Sequence, residues 1–326
     1  MPSNFQHGVS SYGIPIFGNG GLITQGNVIF VKPSTGNDGR DGSSMTDAVK
    51  TLTRALALAT ANQNDVVVLI PEHGSTAAST TDYQSAQLDW NKNMVHLVGG
   101  GAPFRWSHRA RIAQLSTATG VTSLVKVSAS GCWFNNLSIF HGVADATSLV
   151  ALEVTGSRNI FSRSHLAGIG NATMSAAGSA SVKINGGSEN VFDDCVIGLD
   201  TITRDADATE ILMDGAASRN EFRDCLISSY ISAAGFAGVT IADAQGIDRT
   251  LEFTRCRFFA KSTNKAVAQT SVFSIPAISQ GAIILTDSYA ASDGGAVDWD
   301  SNNRGIIWNN SVAAAASAAG GIFTNQ

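Results

Sequence analysis

The chain has 326 residues, is 44% hydrophobic and only 14% charged, and carries a net charge of −5. Charged residues usually make up about 25% of a protein, so this surface is built from Ser, Thr, Asn, Gly and Ala, which suits a stack in which like charges would repel. There is no basic patch to release phosphate counterions, no apolar run of membrane-span length and no secretion signal at the start, so neither nucleic acid nor membrane is an expected partner.

Residues 1–27 stand apart. The run Gly-Val-Ser-Ser-Tyr-Gly-Ile-Pro-Ile-Phe-Gly-Asn-Gly-Gly-Leu-Ile is dotted with Tyr12, Ile14, Ile16, Phe17 and Leu22. It is too apolar for a simple linker and too rich in glycine for a helix or a regular strand. An extended arm that docks on another protein through those five side chains fits this composition. Packing on its own domain is the alternative.

Residues 28–120 read as a cap and the first coils. Val28 to Val31 reads as a strand, and Lys32 to Ser44 as a tight polar loop with Gly36, Asp38, Gly39, Asp41 and Gly42. Thr51 to Ala59 reads as a short helix and Val66 to Ile70 as a second strand. Met94 to Gly101 reads as the first full coil. Phe104-Arg105-Trp106-Ser107-His108-Arg109 mixes aromatics with cations, as a sugar- or nucleic-acid-binding patch would, but it reads more simply as a loop buttressing the first coils.

From 121 to 311 one phrase returns about every thirty residues, the mark of a stacked fold. It reads Ser-Arg-Asn-Ile-Phe-Ser-Arg-Ser at 157–164, Ser-Glu-Asn-Val-Phe-Asp-Asp-Cys at 188–195 and Ser-Arg-Asn-Glu-Phe-Arg-Asp-Cys at 218–225. Aligned copies place Phe134, Phe161, Phe192, Phe222, Phe253, Leu285 and Trp308 in one column. Three residues on lies a column of Leu137, Ser164, Cys195, Cys225, Cys256, Ser288 and Ser311. A β-branched, alternating phrase precedes each copy, such as Val182-Lys183-Ile184 and Ile211-Leu212-Met213. That is strand chemistry. Two or three short strands per repeat predict an all-β chain, a right-handed parallel β-helix, with a small strand-helix-strand cap and an extended N-terminal arm. Equivalent residues should stack at roughly 4.8 Å. The rival, a β-sandwich, gives no reason for the Asn-x-Phe-x-x-Cys phrase to recur. Residues 312–326, rich in Ala, Ser and Gly, read as coil or a short capping helix.

The four cysteines lack the paired spacing of a zinc site. Cys195, Cys225 and Cys256 read as a buried thiol column, with a disulfide between stacked neighbours as the alternative.

The best carboxylate cluster is Asp193, Asp194 and Asp224. Asp194 and Asp224 fall at equivalent positions of successive coils, roughly 5 Å apart, near the spacing of a retaining glycosidase pair. They are the weak catalytic candidates. The simpler reading is a polar turn column of Asn136, Arg163, Asp194, Asp224, Arg255, Asp287 and Asn310, in which Arg163 and Arg255 bracket the two acids. Calcium wants more oxygens than one column offers. Asp293, Asp298 and Asp300 read as an exposed loop. No metal and no cofactor is expected.

The strand, Gly-Asp-Gly loop, Thr-Leu-x-x-Ala-Leu helix and Pro-ended strand of residues 28–73 resemble the N-terminal cap of pectate-lyase-like β-helix proteins. The Gly-His-Gly and Arg-Ile-Lys phrases of polygalacturonase-like enzymes are absent; His141-Gly142 follows Phe140. With its glycine-dotted arm, the segment 1–73 further resembles β-helix proteins encoded among bacteriophage structural genes. That resemblance implies a virion protein assembled in the host cytoplasm: a decoration, spike or fibre on capsid or tail, trimeric, anchored by its arm to other virion proteins. A tailspike that degrades polysaccharide and a non-catalytic adhesin for host surface glycan are the alternatives.

Overall fold

The computed structural model describes residues 26–72, 81–101, 105–106, 108–276, 280–295 and 297–300, and the backbone of 10–11, 14–15, 306–309 and 312–313. The chain is a right-handed parallel β-helix whose coils contribute to three parallel sheets. The first sheet has ten strands, running from Val28–Val31 and Val66–Leu69 through Ile160–Ser162, Val191–Asp193 and Asn220–Arg223 to Ile306–Asn309. The second runs from Thr81–Gln84 to Val312–Ala313, and the third from Leu88–Trp90 to Phe273–Ser274. In each repeat the chain passes from first sheet to second by a tight turn and to the third by a longer loop. The phrases preceding each Phe copy build the third sheet.

The register is the aligned column: Phe134, Phe161, Phe192, Phe222, Phe253, Leu285 and Trp308 are paired from coil to coil. Phe134 to Phe253 point inward and are at most 1% exposed. Their rings stack 4.8, 4.7, 4.6 and 4.9 Å apart, within 12° of parallel. The stack ends against edge-on rings, Trp90 at one end and Phe258 with Phe273 at the other.

Two further ladders flank it. Asn159, Asn190 and Asn220 are fully buried, two positions before each Phe. Each Oδ1 accepts a backbone N–H one coil back, from Cys132 (2.9 Å), Asn159 (3.0 Å) and Asn190 (3.0 Å). Each Nδ2 donates to a carbonyl of an earlier coil, on Ala129, Gly156 and Gly187. Backbone groups at this bend are thereby satisfied without solvent. The Cys/Ser column is also explained. The thiols of Cys195, Cys225 and Cys256 reach 3.3–3.4 Å to the carbonyls of Phe161, Phe192 and Phe222, and the Ser288 hydroxyl does the same to Phe253. All four cysteines are buried free thiols, so the disulfide alternative falls.

The cap forms for local reasons. Asp38 of the Gly-Asp loop accepts from the Lys50 and Thr51 amides and the Thr51 hydroxyl. Thr51 in turn caps the helix Leu52–Leu58 by accepting from the Arg54 amide, a standard N-cap interaction. Leu52, Ala55 and Leu56 are buried at the head of the solenoid, where they close its open end.

Three expectations need correction. Ser10–Ser11 and Ile14–Pro15 pair as a short antiparallel ladder, so the arm does hold regular strand. A two-residue ladder needs few side-chain contacts, which is why glycine content did not forbid it. Tyr12, Ile16, Phe17 and Leu22, and the side chain of Ile14, lie outside the described residues. Val312–Ala313 is a strand paired with Tyr289–Ser292 rather than coil or helix; small residues suffice where the ladder is already templated. The segment at 293–300 is not simply an exposed loop. Asp298 bridges Ser271, Trp299 is 7% exposed, and Asp300 is 4% exposed. Trp299 packs on Phe258 and draws its neighbours inward.

Truncating Phe192 to Ala should destabilise the protein by about 3–5 kcal/mol, from lost transfer energy and the cavity left between Phe161 and Phe222. Denaturant titration of the two proteins measures this; a loss below about 1 kcal/mol would show that the stacked rings are not the core.

Candidate functional site

The candidate site is an open groove over the turns that join the first sheet to the second. Each turn places one residue in the left-handed region: Asn136, Arg163, Asp194, Asp224, Arg255 and Asp287 have φ of 47–59°. Asn and Asp visit this region more readily than other L-residues, which explains their prevalence in the column. The turn amides lock coil to coil. Arg163 N–H donates to Asp193 (2.9 Å), Asp194 to Arg223 (3.0 Å) and Asp224 to Thr254 (2.9 Å). The turn column expected from the sequence is therefore real, and its conformation has a physical reason that residue type alone only hints at. Asn310 lies outside the described residues.

Arg163, Asp194, Asp224 and Arg255 line a groove of about 440 Å³. Asp193 and Arg257, from the strands on either side of the turn, complete its floor. Arg105 forms a wall. The loop at 105–109 thus does buttress the coils, and it also shapes the groove. Its His108 Nε2 donates to the Arg163 carbonyl. Its Trp106, 47% exposed, stands edge-on to His165 with ring centres 4.7 Å apart. Nothing in the spacing of the sequence linked Arg105, Trp106 or Arg257 to the turn column. Phe104 and Ser107 of the same phrase lie outside the described residues.

The charges in the groove are unevenly paired. Arg255 grips Asp224 with two parallel hydrogen bonds of 2.8 and 2.7 Å, and this holds the Asp224 carboxyl below its usual range. Asp193 moves the other way. Partial burial, and then the Asp224 charge, raise its carboxyl above the usual value. Neither Arg163 nor Arg257 has an ion-pair partner among the described residues. Asp194 and Asp224 are thus brought to one groove as expected, but Asp224 is already committed to an arginine. Among the described residues no group of His, Cys, Asp or Glu is arranged to hold a metal ion, and no helix is long and apolar enough to cross a membrane.

A second charged constellation was not legible in the sequence. Arg204 and Glu210 form a fully buried ion pair at 2.8 Å. The remaining Arg204 donors meet the carbonyls of Gly168, Ile169 and Ile202, and Ser181 donates to Glu210. Every group is satisfied inside the fold, so this is a lock for the loop between the coils. On the outside, Arg158, Glu189 and Arg219 alternate in sign along the solenoid at 2.7 and 3.0 Å. Exposed pairs of this kind contribute little stability, but the alternation avoids like charges in one column.

The fold is shared with known carbohydrate-active enzymes. Pectate lyase Pel9A superposes with a TM-score of 0.55 at 15% identity, over 81% of this chain and 62% of that one. The chain therefore spans less than two thirds of that enzyme's length. A pectin methylesterase in complex with a hexasaccharide gives 0.55 at 17% identity, over 89% of this chain and 90% of the other. Pectin methylesterase PemA from Erwinia chrysanthemi gives 0.54 at 16%, over 90% of both. At these identities the likeness shows the fold alone. No protein-family profile matches the sequence, and no curated protein does.

Buried histidines make the protein acid-sensitive. Burial pushes His141 and His165 down from 6.5 to about 4. Burial also lowers His96 and His108. For a group with a depressed pKa, the unfolded chain binds more protons between the two values. Stability is then full above about pH 6.5 and falls as pH drops toward 4. Asp82 opposes this, since burial raises it to about 6 and favours the folded state on acidification. The histidines outnumber it. Thermal melts should show Tm lower by about 5 °C or more at pH 4.5 than at pH 7; an unchanged or higher Tm would contradict the burial argument.

Proposed function

We propose that this chain is a structural β-helix protein of a bacteriophage virion, standing on capsid or tail as a decoration, spike or fibre. The observation that carries the scaffold reading is the set of internal ladders: the stacked rings from Phe134 to Phe253, the amides of Asn159, Asn190 and Asn220, and the Cys195, Cys225, Cys256 and Ser288 hooks. Its described interior is given mainly to coil stacking, with the Arg204–Glu210 pair set into it. The virion setting rests on the resemblance of the cap and the glycine-dotted arm. The arm, through Tyr12, Ile14, Ile16, Phe17 and Leu22, is the proposed attachment to other virion proteins. Trimer formation is supported by a row on the outer face of the first sheet. Trp133, Ile160 and Val191 are in register there, and Ile160 is 45% exposed.

One observation favours the alternative, a polysaccharide-cleaving tailspike. Asp193 and Asp224 share a groove while their environments push their carboxyls apart, the pattern that separates a general acid from its ionised partner. The bidentate grip of Arg255 on Asp224 weighs against it, because a carboxylate held by two charge-assisted hydrogen bonds is a poor nucleophile.

Deleting residues 1–25 should leave a soluble, β-rich trimer that no longer joins particles, read by sedimentation and by mass spectrometry of purified virions. Normal incorporation would remove the anchor, and a monomer at micromolar concentration would remove the trimer. The full chain should release neither reducing ends nor unsaturated sugars from bacterial capsule or lipopolysaccharide. Release that Asp193→Asn abolishes, with the fold intact, would establish the enzymatic reading instead.

A further inference from the structure

We infer that the outer faces of the first and second sheets are the two halves of one interface between copies of this chain. The first-sheet face of each copy seats on the second-sheet face of the next, around a three-fold axis that runs along the solenoid. This rests on the trimer proposed above and names the two surfaces that build it.

The two faces are opposite in charge. The first-sheet strands carry three carboxylates, Asp193, Glu221 and Glu252, and one guanidinium, Arg223. The second sheet presents Arg111, Arg257 and Lys261, and its other charged strand residues, Asp82 and Arg204, are buried. Asp293, just past these strands, accepts from the Ser262 amide. Most of the outward charges are engaged within the chain. Arg223 grips Glu221, Arg111 lies over the Phe140 ring, and Asp193 and Arg257 share the groove. Glu252 and Lys261 remain. Glu252 stands in register with Glu221 on the adjacent strand and has no ion-pair partner among the described residues. Like charges so placed are destabilising. Lys261 has no ion-pair partner among the described residues either, and its Nζ lies 4.8 Å from the centre of the Tyr230 ring.

The faces also match by height. A rotation about an axis along the solenoid leaves every coil at its own level, so each coil meets the same coil of the neighbouring copy. Thr250–Thr254, with Glu252, and Arg257–Ser262, with Lys261, are the first- and second-sheet strands of one coil. In another, Ile160 is 45% exposed on the first sheet, and His165 on the second carries the ring of Trp106, itself 47% exposed. Acid meets cation at one level, and apolar meets apolar at the other. Phe259, 41% exposed between Arg257 and Lys261, extends the apolar part of the second face. Two first-sheet faces joined by a two-fold axis along the solenoid would instead set Glu252 on Glu252 and leave Trp106 and Phe259 in water.

The test uses the full chain, whose own four thiols are buried. Ile160→Cys and Trp106→Cys are made singly and together, oxidised in air with a copper catalyst, and run on a non-reducing gel beside sedimentation of the wild type. The double variant should give linked dimers and trimers, and each single variant none. In a second arm, Glu252→Lys and Lys261→Glu should each raise the concentration needed for half-assembly about tenfold or more. The two together should restore it, with circular dichroism unchanged throughout. A trimer whose double-cysteine variant stays unlinked would overturn this interface and leave the trimer standing. So would a single-cysteine variant that links two chains, or charge reversals that do not rescue each other. A wild-type monomer would remove the trimer and this interface with it.

Discussion

Everything in this protein depends on parallel, in-register stacking of one coil on the next. A parallel ladder sets equivalent residues at the inter-strand spacing, and the Phe rings accordingly lie 4.6–4.9 Å apart. Once that spacing is imposed, a residue type that tolerates its own image becomes the best choice at each position. Phe stacks face to face, Asn links amide to backbone, and Cys or Ser hooks the carbonyl one coil back. The exterior obeys the same constraint with opposite logic, because identical charges would repel. Hence Arg158, Glu189 and Arg219 alternate, and Arg255 sits over Asp224.

This constraint also explains what the sequence made legible. Phe192 could be placed because its neighbours in space are Phe161 and Phe222, its images in the alignment. The strands of the second sheet were harder to see. Val196–Ile197 is only two residues long, and no two-residue run shows periodicity. The turn column was visible as a polar column, but not as a column of left-handed residues, since Arg163 and Arg255 give no such signal. Arg105 and Trp106 were not linked to the groove because a loop that folds back over other coils has no image in the repeat, and Arg257 was not because its register partners, Leu226 and Tyr289, carry no charge. Arg204 and Glu210 were missed for a related reason. Charged residues are rarely buried, and only the surrounding carbonyls of Gly168, Ile169 and Ile202 make it tolerable here.

A shared fold with a pectate lyase and pectin methylesterases sets the architecture and leaves the chemistry open. In this chain the described interior is spent mainly on stacking, and the charged groove over the turn column is partly neutralised by the Arg255–Asp224 pair. Such a groove is better arranged to hold a polar ligand than to attack one.

The central claim is that stability passes from each coil to its immediate neighbours. A pair of double-mutant cycles tests it most directly, with Leu as the replacement because Leu285 already occupies the column. Phe161→Leu combined with Phe192→Leu should show a coupling energy of about 0.5–1.5 kcal/mol. Phe134→Leu combined with Phe253→Leu, several coils apart, should be additive to within about 0.5 kcal/mol. Additivity in the adjacent pair, or equal coupling in both, would contradict the account.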